Sequence, residues 1–163
     1  MFFDVGTVEN MEVIRILSNM NTYIFSDKNP DSKRYAIFED DGVSGWLYIT
    51  GPDDMTFIGD CWIYNRIPAP DPIIIGAFRP GPPPAPQGFA GPNALQALPD
   101  WSSIRLLWSD DGNAVALLMN NLPVGFVVAD DKRGVSRHLA NNGPWGLIWN
   151  QELYDKNFID NNR

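Results

Sequence analysis

The chain has 163 residues, enough for one domain with a real core, and 44% of them are apolar, which excludes a disordered chain. Its net charge is −8, a field that repels nucleic acid and anionic membrane and excludes both as direct partners. There is no run of about eighteen apolar residues to span a bilayer, no basic, apolar leader at M-F-F-D-V-G, and a single cysteine, Cys61; together these point to a reducing cytoplasm.

In chain order, M11-E-V-I-R-I-L-S-N-M20 is ambiguous, its apolar residues fitting strand and helix periods each in part. N21-T-Y-I-F-S-D27 predicts a strand, closed by the turn-forming K28-N-P-D-S32. R34-Y-A-I-F-E39, the turn D40-D-G-V-S44 and G45-W-L-Y-I-T50 predict a hairpin. After the turn G51-P-D-D54, residues 55–66 form one β-branched and aromatic strand with a bend near Gly59.

From Pro68 to Pro99 the character changes, because ten of the fourteen prolines fall there, including P80-G-P-P-P-A-P86. Proline fixes φ and removes a donor, so a long surface excursion of polyproline II character is expected, with I73-I-I75 pinned to the body or to a partner. A second module follows: strands at 103–109, 114–119, 124–129 and 135–139, joined by D110-D-G-N, N120-N-L-P and D130-D-K-R-G. N141-N-G-P-W145 predicts a helix start, with Trp145, Ile148, Trp149 and Leu153 on one apolar face through about Phe158 and a fraying tail at 159–163. The fold expected is mainly β (α+β): an antiparallel sheet, β-sandwich or half-barrel in a single domain over 1–163, with a C-terminal helix and the 68–99 loop.

Four Asp-Asp pairs punctuate the chain: 40/41, 53/54, 110/111 and 130/131. Neighbouring strand residues point to opposite faces, and neither the alternating spacing nor the twelfth-position Glu of a calcium loop is present. Aspartate and glycine suit tight turns, and aspartate caps turn amides, so the pairs are read as turns rather than as metal or acid/base sites. The single histidine, His138, is read as an ordinary strand residue, and Cys61 as a small buried hydrophobe without local activation. No phosphate-loop pattern occurs, so no catalytic residue, metal or cofactor is assigned.

The motifs R34-Y-A-I-F-E-D-D-G-V-S-G-W-L-Y-I49, W62-I-Y-N65, L106-L-W-S-D-D-G-N-A-V-A-L-L118 and G134-V-S-R137 carry a resemblance. Over residues 34–138 the chain resembles a family of uncharacterised bacterial proteins known only as a domain of unknown function. Its members carry F-E-D-D-G-E-T-G-Y, I-Y-N, W-S-x-D-G and G-x-x-R in the same order. The chain departs from that pattern at Val43-Ser44 and by its proline-rich insertion. The resemblance implies a compact bacterial β-rich protein and carries over no catalytic residue.

Small acidic proteins of this kind are often immunity proteins, and the leading expectation is a non-enzymatic inhibitor of a cognate toxin with a basic surface. Asp53, Asp54, Asp110, Asp111, Asp130 and Asp131 would supply the charge, and Phe78, Phe89, Trp101 and Trp145 the apolar anchors. The runner-up is a small-ligand or glycan-binding β-domain that stacks ligands on tryptophan, and an enzyme comes third.

Overall fold

The computed structural model describes residues 3–8, 11–16 and 22–160. Two sheets make up the fold. The first has β1 (Phe3–Val8), β2 (Met11–Ile16), β3 (Tyr23–Lys28), β4 (Tyr35–Asp40), β5 (Ser44–Thr50) and β6 (Phe57–Asn65), paired antiparallel in sequence order. The second has β7 (Ile104–Trp108), β8 (Ala114–Met119), β9 (Leu122–Val128), β10 (Val135–Ser136) and β11 (Leu147–Ile148). Its spatial order is β11-β10-β9-β8-β7, and only the β10–β11 pair is parallel. The expected β-rich α+β architecture is therefore a two-sheet sandwich. The stretch 11–20 resolves as strand over Met11–Ile16, while its remainder, like the end of the 159–163 tail, lies outside the described residues.

Alternation along the strands builds the layers. Ala36, Phe38, Leu47, Ile49, Cys61 and Ile63 face Ile104, Val115, Leu117 and Val127 across the sandwich. The outer face of the second sheet presents Ala116, Leu118 and Phe126 to the helix α1 (Gln151–Phe158), which lays Tyr154 and Phe158 on it. The outer face of the first sheet presents Trp46 and Trp62, and the proline-rich segment covers them.

That segment is docked rather than free. The Asn65 side chain, buried between them, accepts from the Ala85 amide at 2.9 Å and donates to its carbonyl at 2.8 Å, bonding that residue as a paired strand would. Residues Pro82 and Pro83 give their carbonyls to Ser44 Oγ and to the Trp46 indole N–H. Proline carbonyls have no internal partner in an extended helix, so side-chain donors from the sheet can take them. A 3₁₀ helix, Pro72–Phe78, with Asp71 capping the Ile73 amide, interrupts the extended path; Ile75 packs inward, whereas Ile73 stays 89% exposed.

The helix expected from Pro144 begins instead after Asn150, whose side chain accepts from the Leu153 amide. Trp145 turns into the cluster beneath the proline segment, Gly146 has φ +141°, and Leu147–Ile148 pairs with Val135–Ser136. Trp149 then lies against Phe126 and Tyr154. The expected strand 135–139 is likewise only Val135–Ser136, because Arg137 and His138 turn away. No described helix is long and apolar enough to cross a membrane.

Candidate functional site

Two surfaces carry groups that the fold itself does not use. The first is the end of the sandwich formed by four turns, 29–34, 51–56, 109–113 and 129–133. Asp53 donates its amide to the Lys33 carbonyl at 2.7 Å, Arg34 Nε donates to Asn113 Oδ1 at 2.9 Å, and Ala129 donates to the Asn113 carbonyl at 2.7 Å. Three of the four Asp-Asp pairs thus gather at one end, although they are far apart in sequence.

Their roles differ residue by residue. Asp54 accepts from the Thr56 amide at 2.8 Å, and Asp111 from the Asn113 amide at 2.9 Å and Ser109 Oγ at 2.8 Å. These bonds to the charged form hold the Asp111 carboxyl below the usual carboxylate range, the backbone bond first. Asp53 pairs with Lys28 at 3.0 Å. Asp54, Asp110, Asp111, Asp130 and Asp131 are exposed and form no ion pair with a described residue, so their charge faces solvent. Lys33, Lys132 and Arg133 sit among them.

The fourth pair is at the opposite end and is different in kind. Asp40 has no exposure; it accepts from Tyr64 Oη at 2.5 Å and Arg66 Nη1 at 3.1 Å, with the Gly42 amide on its other oxygen. Asp41 caps the Val43 and Ser44 amides, as Asp111 caps its own turn. Asp-Asp-Gly is therefore one turn device used twice, with its first aspartate buried in a network in one copy and solvated in the other.

The aromatic residues expected to anchor a partner lie largely inside. Trp101 packs on Tyr23 at 4.4 Å and Phe25 at 5.2 Å as a lid on the core. Trp145 is 9% exposed and meets Phe89 at 5.0 Å. Phe78 and Phe89 are half-buried. Phe89 and Trp145 hold the proline segment, and Trp101 covers the core edge. Among the described residues the large exposed apolar side chains are Met55 on the acidic end, Phe57 beside it, Ile73, Ile74, Leu95 and Leu98 on the proline segment, and Leu122, Ile148 and Ile159 elsewhere.

The second surface is a groove of about 580 Å³ between the outer face of β5–β6 and residues 79–83. One wall is a ladder of near-parallel rings: Trp46 to Tyr48, with centroids 6.4 Å apart and an interplanar angle of 14°, and Tyr48 to Phe57 at 4.5 Å and 18°. Asp60, the cross-strand partner of Tyr48, lines it from β6, and Arg79 and Pro80 line it from the segment. Burial pushes the Asp60 carboxyl up. Tyr48 is pushed far above its ordinary value, by burial first and then by Glu39, Asp60 and Asp41, so its hydroxyl keeps its proton. Sequence reasoning missed this site, since nothing local links Tyr48 to Arg79. The available signal was the alternation of Trp46 and Tyr48 with core residues on β5.

Cys61 and His138 have structural contacts. The thiol is fully buried, pushed well up by desolvation, and donates to the Trp62 carbonyl at 3.2 Å. His138 Nδ1 bonds the Ile63 carbonyl at 2.8 Å, and burial pulls the ring's pKa down. In the G-x-x-R motif, a Cβ on Gly134 would stand 2.6 Å from Cys61 Cβ, and Arg137 stacks on the Trp149 ring at 3.9 Å. Among the described residues no three His, Cys, Asp or Glu side chains gather as a metal site. No family model, curated protein or solved structure matches the chain.

Proposed function

We propose that the chain is a non-catalytic binding protein of immunity type, which neutralises a toxin by holding that toxin's basic surface against the acidic end of the sandwich. The observation that carries this reading is the gathering of Asp54, Asp110, Asp111, Asp130 and Asp131 on adjoining turns without ion-pair partners among the described residues. Such a cluster raises the rate of encounter with a basic partner and sets orientation. Met55, exposed on the same end, supplies apolar contact in place of Trp101 and Trp145. Asp53 contributes less, because Lys28 already neutralises it.

The test pairs this chain with the product of an adjacent toxin-like gene and measures association by surface plasmon resonance across salt. Association should slow steeply between about 50 and 300 mM salt, and Asp110→Lys with Asp130→Lys should slow it further. A complex whose association is indifferent to both salt and the two reversals would sink the reading. A second reading, ligand binding by aromatic rings, has its own observation in the Trp46–Tyr48–Phe57 ladder.

A further inference from the structure

The groove between β5–β6 and residues 79–83 already contains an example of what it binds. Pro82 and Pro83 lie along its inner half, with their carbonyls taken by Ser44 Oγ at 3.3 Å and by Trp46 Nε1 at 3.1 Å. An indole N–H donating to the carbonyl of a proline-rich strand beside parallel aromatic rings is the chemistry by which extended proline helices are recognised.

The outer half offers the same chemistry unoccupied. The Tyr48 hydroxyl and the Arg79 guanidinium are donors, and neither bonds a described residue. Phe57 continues the ring ladder and is 52% exposed. The Asp60 carboxylate is partly buried and forms no ion pair with a described residue, although a buried charge ordinarily finds one.

Ring geometry argues against a sugar. A pyranose stacks on an open ring face, but Tyr48 is flanked by the other two rings and Trp46 is 5% exposed, so only Phe57 has a face to give. Ring edges with donors between them suit a ridged, carbonyl-bearing strand. We infer that the outer half of this groove binds a proline-rich peptide in extended conformation, its carbonyls on Tyr48 Oη and Arg79, its prolines against Phe57, and a flanking Lys or Arg on Asp60. This proposal stands independently of the toxin-binding reading, which concerns the acidic end.

The test titrates the ¹⁵N-labelled full chain with a ten-residue oligoproline peptide ending in arginine, alongside the same peptide ending in glutamate and a soluble hexasaccharide. The expected result is saturable shifts at Tyr48, Phe57, Asp60 and Arg79 below about 1 mM of the arginine peptide. Phe57→Ala, at an exposed position, should weaken that binding about tenfold or more, and Asp60→Asn should abolish the preference for arginine over glutamate. Unchanged resonances up to that concentration would overturn the inference. So would binding insensitive to Phe57→Ala, or saturable shifts at these residues with the hexasaccharide alone.

Discussion

At the scale of single residues, Asp60 is informative because the fold gains nothing from its charge. Burial favours its neutral form, so the folded carboxyl binds its proton more tightly than the unfolded one. Stability therefore falls as pH rises from the unfolded value through the raised folded one, the reverse of an ion-paired aspartate. Asp60→Asn removes that penalty. Its melting temperature should exceed the wild type's by about 1–3 °C at neutral pH, with the gap closing near pH 4. A variant less stable than wild type at neutral pH would mean that the carboxylate has a structural partner after all. Asp40 makes the contrast: with Tyr64 and Arg66 on its oxygens it is an anchored buried charge, and losing such a partner typically costs about 3–5 kcal/mol. The sequence pattern E-D-D-G could not separate these roles, because the separation depends on Tyr64 from β6 and Arg66 just beyond its end.

Among elements, the strands were the most legible. Alternation in residues 35–40 and 44–50, with Asp-Asp-Gly between, specifies a hairpin whose Phe38–Leu47 and Ala36–Ile49 pairs fill one face. Likewise, the bend at Gly59 sits beside a register shift between Ile49 and Thr50. The helix starts later than the spacing predicts, because Trp145, Ile148 and Trp149 match a helical face while Trp145 belongs to a different cluster. Asn150, with Glu152 in the first turn, was the better signal. The proline segment was legible as irregular but not as docked, since the docking depends on Asn65 across the sheet. Asn65 Oδ1 also accepts from Trp62 Nε1 at 2.9 Å, so Asn65→Ala leaves three buried groups unpaired. It should cost about 3 kcal/mol or more and release the segment. Thermolysin should then cut within residues 82–96 about tenfold faster than in wild type, while cutting at the already exposed Ile73–Ile74 stays unchanged. Equal acceleration at both places would point to global loss of stability rather than local release.

Across the whole molecule, the two sheets come from separate halves of the chain, and the proline segment joins them. Sequence organisation alone would permit two small domains around a linker. The packing does not, because each sheet's inner face is the other's cover: Phe38, Leu47 and Ile63 have no alternative burial than against Val115, Leu117 and Val127. A sheet of this size with one face bare exposes an apolar surface that water will not tolerate. The covalent link is therefore dispensable once the core has formed. A specific protease site inserted after Gly76 tests this, since Gly76 is exposed and a Cβ there would meet nothing within 4 Å. After cleavage the two pieces should elute together, keep their β-sheet circular dichroism, and unfold in one transition. Cutting makes unfolding bimolecular, so the midpoint should fall on dilution, by about 1.4 kcal/mol of stability per tenfold. Pieces that separate on the column while each stays folded would show that the inner faces can be covered within each half, and the sandwich core would lose its role as the interaction that makes the chain one cooperative unit.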